Sequence, residues 1–96
     1  MWDKKVYIWR EPISNHRFKA TKEHIYRAEL KVNNALQIDG EVSFDNFLLD
    51  LGIHEPKLSY FYWEETDGKV EIYFRMSRME KGVIELEYNR YPKHTL

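Results

Sequence analysis

The residues around Gly40 carry some of the side chains of a calcium-binding loop, but at the wrong spacing. An EF-hand loop needs oxygen ligands at its first, third, fifth and twelfth positions and a glycine at its sixth. With Gly40 at the sixth position, the ligand positions fall on Ala35, Gln37, Asp39 and Asn46. Alanine has no ligand atom, and an asparagine amide does not supply the bidentate carboxylate of the twelfth position. We therefore expect no calcium site, and the segment instead predicts the end of one helix and the start of another.

The other side chains that are able to do catalysis lack the neighbours that catalysis needs. His24 has no second ligand at the spacing of a helical zinc pair, and the remaining histidines are scattered. Glu64, Glu65 and Asp67 crowd a predicted turn, whereas glycoside hydrolysis needs carboxylates that line a cleft. No serine has the context of a nucleophile, and the four glycines are too scattered for a phosphate-binding loop. We therefore predict a protein that is not an enzyme and that binds neither a metal nor another cofactor.

Length and composition limit the number of domains and the cellular compartment. A chain of 96 residues predicts one domain, residues 1–96. It has no cysteine, which fits a reducing compartment. No apolar run approaches the roughly 20 residues that cross a bilayer, and the N-terminal segment lacks the apolar stretch of a signal peptide. We therefore expect a cytoplasmic protein without a membrane partner.

The net charge of −1 conceals segments of different charge. Residues 1–31 contain eight Lys or Arg and four acidic residues, whereas residues 32–67 contain one Lys and eight acidic residues. A near-neutral chain is a weak general ligand for nucleic acid, because phosphate contacts dominate that affinity. The basic N-terminal third leaves one alternative open, a nucleic-acid-binding surface that would use Lys4, Lys5, Arg10, Arg17 and Lys19.

A pair of helices is predicted within residues 21–52. The first runs from its N-cap, Thr21, to about Ile38, with apolar residues at helical spacing. The second is shorter and covers residues 44–51, after the N-cap Ser43. Each helix is followed by a residue type that ends helices, the glycines Gly40 and Gly52.

From residue 57 to residue 91 the apolar period changes to the alternation of an antiparallel sheet. Three strands and one hairpin turn are expected, at residues 58–63, 69–76 and 84–89 and at residues 66–68. Residues 1–20 are predicted to contain an N-terminal arm or edge strand, at Val6-Tyr7-Ile8-Trp9, and then a polar loop that runs from Pro12 to Thr21. The predicted fold is therefore α+β, with two helices packed on one face of a three-stranded antiparallel meander.

The solvent side of this meander is predicted to carry aromatic and charged residues. Tyrosine and arginine concentrate binding energy at protein interfaces, so this side is the predicted partner-binding surface. In the first strand, the register decides whether Tyr60 and Tyr62, or Phe61 and Trp63, point outward. The predicted partner-binding residues are Tyr60, Tyr62, Glu71, Tyr73, Arg75, Glu85 and Glu87.

A series of short motifs gives the chain a family resemblance over roughly residues 25–92. The motifs are Asn33-Asn34-Ala35, Asp39-Gly40-Glu41-Val42-Ser43, Phe47, Leu51-Gly52, Trp63, Val70 to Phe74, Gly82 and Tyr88 to Pro92. In this order they resemble a family of small uncharacterised proteins encoded by phages, prophages and other mobile elements of Gram-positive bacteria. One position departs from the family pattern, because Tyr62 stands where a glycine is expected. The resemblance implies a setting, the cytoplasm of a bacterial host cell, and no reaction.

The leading hypothesis is a non-enzymatic accessory protein that binds and modulates a host protein. The setting suggests inhibition of a defence nuclease, in the manner of an anti-CRISPR protein. A small nucleic-acid-binding regulator is the first alternative, although Glu71, Glu85 and Glu87 would repel phosphates from the sheet. The second alternative is a structural subunit that self-associates through an exposed edge strand. The sequence leaves the oligomeric state open.

Overall fold

The computed structural model describes residues 3–94, which form two α-helices and seven β-strands in two sheets. The helices are α1, Lys22–Asp39, and α2, Phe44–Asp50. The strands are β1 Tyr7–Glu11, β2 His16–Ala20, β3 Glu41–Ser43, β4 Phe61–Glu64, β5 Ile72–Met76, β6 Val83–Tyr88 and β7 Lys93–His94. Short 3₁₀ turns at Pro56–Leu58 and Glu65–Asp67 flank β4. The predicted α+β class is confirmed.

The main sheet has four strands in the order β2-β1-β6-β5. β1 pairs antiparallel with β2 and parallel with β6, and β5 and β6 pair antiparallel. β1 is therefore an inner strand, whereas the sequence predicted an arm or an edge strand for residues 1–20. The edge strand is β2, in the predicted polar loop. Its charged residues face solvent, while Phe18 and Ala20 pack against the core.

A second, smaller sheet has the order β3-β4-β7 and corrects the predicted meander. β4, the expected first strand of the meander, pairs with β3 and β7 rather than with β5. The predicted hairpin turn at residues 66–68 is a 3₁₀ turn on the way from one sheet to the other. The physical reason is the burial of Trp63. Its ring lies 5.3 and 5.5 Å from those of Phe44 and Phe47, so β4 packs beside α2.

Both helices occupy their predicted positions. The hydroxyl of the N-cap Thr21 accepts a hydrogen bond from the His24 N–H at 3.1 Å, and Gly40, with φ of 81°, ends α1. Ser43 is the N-cap residue of α2, although its side chain makes no capping hydrogen bond. In the described part of the chain, no helix combines the length and the apolar character that crossing a membrane requires.

The core lies between the two helices and the inner face of the main sheet. α1 contributes the apolar face that its spacing predicted, Ile25, Ala28, Val32 and Leu36. Four aromatic rings from α2, β4 and β6 form a cluster, those of Phe44, Phe47, Trp63 and Tyr88. Every pair of ring centroids is 5.3–6.0 Å apart, and most pairs pack edge to face. Such pairs add to the free energy of burial. This cluster therefore joins the two sheets.

Candidate interaction surface

The main sheet has one face that points away from the two helices, the outer face. Trp9, Ile84 and Leu86 point into the core, so the residues between them in β1 and β6 point away from the helices. Tyr73 is 51% exposed, and the Arg75 side chain is 60% exposed. The face is less open over β6, where Val83 is buried and the Glu85 side chain is 15% exposed. By strand alternation and register, the outer face comprises Ile8, Arg10, Arg17, Lys19, Tyr73, Arg75, Val83, Glu85 and Glu87.

One row of the outer face crosses all four strands and carries more positive than negative charge. Arg17 of β2 lies opposite Arg10 of β1, and Arg10 lies beside Glu85 of β6. Glu85 in turn lies opposite Arg75 of β5. Like charges in cross-strand positions repel each other, and Arg17 is bound to the carboxylate of Glu80 instead. Arg10 Nη1 lies 3.9 Å from Glu85 Oε2 and makes no hydrogen bond within the described residues.

A neighbouring row places an aromatic ring beside an ion pair. Tyr73 lies opposite Glu87, and the Arg75 Nε lies 2.7 Å from Glu87 Oε1 in an ion pair. Partial desolvation and then the Glu71 carboxylate raise the pKa of Tyr73. The Tyr73 ring and the Arg75 guanidinium therefore lie on the same face of β5.

The predicted partner-binding residues are divided between two surfaces. Tyr73, Arg75, Glu85 and Glu87 lie on the outer face, and Glu71 directly precedes β5. Tyr60 and Tyr62 belong to the region of β4 in the small sheet, so they do not extend the outer face. Trp63 is buried and Tyr60 is exposed, whereas Phe61 and Tyr62 are both half-buried.

Three of the five predicted nucleic-acid-binding residues lie on the same outer face. Arg10, Arg17 and Lys19 lie in β1 and β2 and share the side of Arg75. Lys4 and Lys5 precede β1 and are exposed, and the Lys5 Nζ lies 5.2 Å from the centre of the Tyr7 ring. Sequence reasoning treated the two sets as separate. They meet because β1 pairs with the distant strand β6.

The residues considered for catalysis or metal binding are occupied elsewhere. His16 Nε2 lies 3.0 Å from Glu55 Oε2, and the His24 ring bonds the Asp50 carbonyl. Within residues 3–94, no three His, Asp or Glu side chains are grouped to hold a metal ion. Hydrogen bonds to Asp67 and then Glu64 raise the pKa of Lys93. The acidic turn is therefore partly neutralised by a lysine.

Sequence reasoning missed a buried carboxylate, Glu11, which is 0% exposed. The Tyr88 hydroxyl donates to Glu11 Oε2 at 2.6 Å, and the Ser14 N–H donates to Oε1 at 2.6 Å. Burial, and after it the Glu11 carboxylate, raise the pKa of Tyr88. The alternation of Tyr7, Trp9 and Glu11 along β1 is the sequence pattern that places Glu11 on the inner face.

In comparisons with known proteins, no curated protein and no solved structure gives a significant match. A model of one protein family, described as a family of unknown function, matches residues 2–96. That match spans nearly the whole chain, including the hairpin β1–β2 and both sheets. The chain therefore belongs to this family of unknown function, DUF6353.

Proposed function

We propose that this chain is a non-enzymatic protein that binds another protein through the outer face. The observation that carries the proposal is the exposure of Tyr73 and Arg75 on the outer face, on the edge strand β5 of the four-stranded sheet. Tyrosine and arginine side chains carry much of the binding energy at protein interfaces. The outer face also carries the ion pairs Arg10–Glu85 and Arg75–Glu87. Complementary charges on a partner protein would fix its orientation against these pairs.

The resemblance to proteins of phages and other mobile elements supplies the setting of the proposal. In that setting the bound protein is a host protein, and its modulation serves the mobile element. A defence nuclease is the target class that we propose, with inhibition as the effect. The mixed charge of the outer face suits a protein surface that also carries both signs of charge.

A nucleic-acid-binding regulator is the alternative that Arg10, Arg17 and Lys19 support on the same face. The carboxylates of Glu80 and Glu85 lie beside Arg17 and Arg10. A phosphate group that binds Arg10 or Arg17 must displace the paired carboxylate and then remains close to its negative charge. This repulsion lowers the affinity for nucleic acid. Binding that falls steeply with salt and that is abolished by nuclease would favour this alternative over a protein partner.

The experiment is a capture of host proteins with the tagged chain, after nuclease treatment, compared between matched variants. The Tyr73→Ala/Arg75→Ala variant removes an aromatic ring and a guanidinium from the outer face. The control variant Arg27→Ala/Leu30→Ala removes a guanidinium and an apolar side chain from an exposed side of α1. We expect one stoichiometric host protein that the first variant loses and the control retains.

The proposal also predicts which results contradict it. If the captured protein is retained by Tyr73→Ala/Arg75→Ala, the outer face is not the binding surface. Recovery of the chain alone would instead favour self-association through an edge strand, and sizing at high concentration would then show an oligomer. Turnover of a substrate by the purified protein would refute the non-enzymatic assignment.

A further inference from the structure

A groove of about 640 Å³ lies on the helical side of the molecule, away from the outer face. The C-terminal half of α1, the strand β3 and α2 line it. Its apolar residues include buried parts of the core, Val32 and Phe47, and the half-buried Ala35 and Val42. Leu49 also lines the groove and is 52% exposed. The groove therefore offers apolar surface that solvent still reaches.

The acidic residues at one end of the groove lack a countercharge. Asp39 and Glu41 both line it, and neither makes a hydrogen bond or an ion pair with its side chain within residues 3–94. Lys31 is the only basic residue that lines the groove in the described chain, and its Nζ is bound to Asp50 Oδ1 at 3.0 Å. Cationic groups placed beside Asp39 and Glu41 would therefore form new ion pairs without breaking existing ones.

The groove also borders an unpaired strand edge. β3 pairs with β4 on one side only, because it is the terminal strand of the small sheet. The Glu65 N–H donates to the Gly40 carbonyl at 2.9 Å, so the Gly40 backbone points toward β4. Backbone groups alternate in direction along an antiparallel strand, which turns the N–H and C=O of Glu41 toward the free edge. A further strand could be added there.

We propose that the groove binds an extended segment of a partner protein in which basic and apolar residues alternate, and that this segment adds to β3 as a strand. Its basic side chains lie beside Asp39 and Glu41, and its apolar side chains contact Ala35 and Leu49. The backbone of Glu41 supplies the hydrogen bonds, and the acidic end sets the preference for a basic ligand. This site is separate from the outer face and does not rest on the function proposed for it.

The test uses a pentapeptide of alternating lysine and valine with blocked ends, titrated into the ¹⁵N-labelled chain. We expect chemical-shift changes in the backbone amides of residues 41–43 and of Leu49. A peptide with glutamate in place of lysine serves as the matched probe and is expected to leave these amides unshifted. The Asp39→Asn/Glu41→Gln variant should bind the lysine peptide about fivefold more weakly, because two exposed ion pairs are lost.

Further arms separate strand addition from simple charge attraction. A lysine peptide with methylated backbone nitrogens on the side facing β3 is expected to lose binding, since it cannot donate to the Glu41 carbonyl. Equal binding of the methylated peptide, or of the glutamate peptide, overturns the proposal, as does the absence of shifts in residues 41–43. The outer-face variant Tyr73→Ala/Arg75→Ala should bind the peptide unchanged, so a failure of this proposal is distinguishable from a failure at the outer face.

Discussion

The outer face and the groove differ in how their charges are satisfied. On the outer face, Glu85 and Glu87 are each paired with an arginine, and Glu80 of the β5–β6 loop is paired with Arg17. In the groove, Asp39 and Glu41 have no charged partner within the described residues. A ligand of the outer face must exchange existing ion pairs, which contributes orientation and specificity more than affinity. A basic ligand of the groove adds ion pairs and covers exposed apolar surface.

The two regions also differ in how they relate to the core. The floor of the groove is the core itself, since Val32 and Phe47 are buried side chains of the helices. Tyr73 and Arg75 of the outer face make most of their surface available to solvent. Substitutions should therefore separate stability from binding on the outer face and should affect both at the floor of the groove.

The largest effect is expected from Phe47→Ala, compared with Tyr73→Ala. Phe47 contacts three aromatic rings of the buried cluster, so its truncation should cost about 3–5 kcal/mol of unfolding free energy. Tyr73→Ala removes an exposed ring and should cost about 0.5 kcal/mol or less. Urea unfolding followed by circular dichroism measures both. Similar losses from the two variants would show that the outer face is part of the stabilising core.

A smaller loss is expected from Glu11→Ala, beneath the outer face. The change leaves the buried Tyr88 hydroxyl and the Ser14 N–H without their acceptor. The free energy of unfolding should fall by about 2–3 kcal/mol. Glu11→Gln keeps one carbonyl oxygen as acceptor and should lose about half as much. Urea unfolding at pH 7 compares them. If Gln and Ala are equally destabilising, the charge of Glu11, rather than its hydrogen bonds, carries the effect.

How far the sequence predicts each region depends on how local the region is. The groove is built from residues 31–50, and the caps, glycines and apolar spacing of this stretch predicted both helices that line it. The outer face combines β1 and β2 with β5 and β6, strands that are far apart in the chain. Nothing in the local pattern of Tyr7–Glu11 specifies a parallel pairing with Val83–Tyr88.

The small sheet shows the same limit in another form. The alternation of residues 58–63 predicted a strand, and β4 does form there. The predicted partner strand was wrong, because β4 pairs with β3. A period of two indicates which side chains share a face and says nothing about which strand lies alongside. The partner was decided by Trp63, whose burial against Phe44 and Phe47 brings β4 to α2. A tertiary contact therefore overrode the hairpin that Gly68 suggested.

A moderate effect is expected at Asn33, which links α1, the helix of the groove, to the segment before β5. Its side chain bonds both the N–H and the C=O of Val70, each at 2.9 Å. Asn33→Ala leaves both backbone groups without these bonds and should cost about 1–2 kcal/mol. The neighbouring Asn34→Ala is the control, since Asn34 is exposed, and should be near neutral. Amide hydrogen exchange of Val70 should accelerate in the first variant and not in the second.

The smallest effect is expected from pH at the contact of Glu55 with His16, which ties the segment after α2 to the edge strand β2. The hydrogen bond from His16, and more weakly Lys57, lower the pKa of Glu55 below its ordinary value of 4.5. Because the pKa is lower in the folded state, the contribution to stability is present above pH 4.5 and is lost as the pH falls through the folded-state pKa. Both groups are at the surface, so the change should be slight. Acid unfolding of Glu55→Gln should begin at nearly the same pH as that of the parent chain. The free energy of unfolding of the variant should depend less steeply on pH in this range. An unchanged slope would mean that the contact between Glu55 and His16 does not contribute to stability.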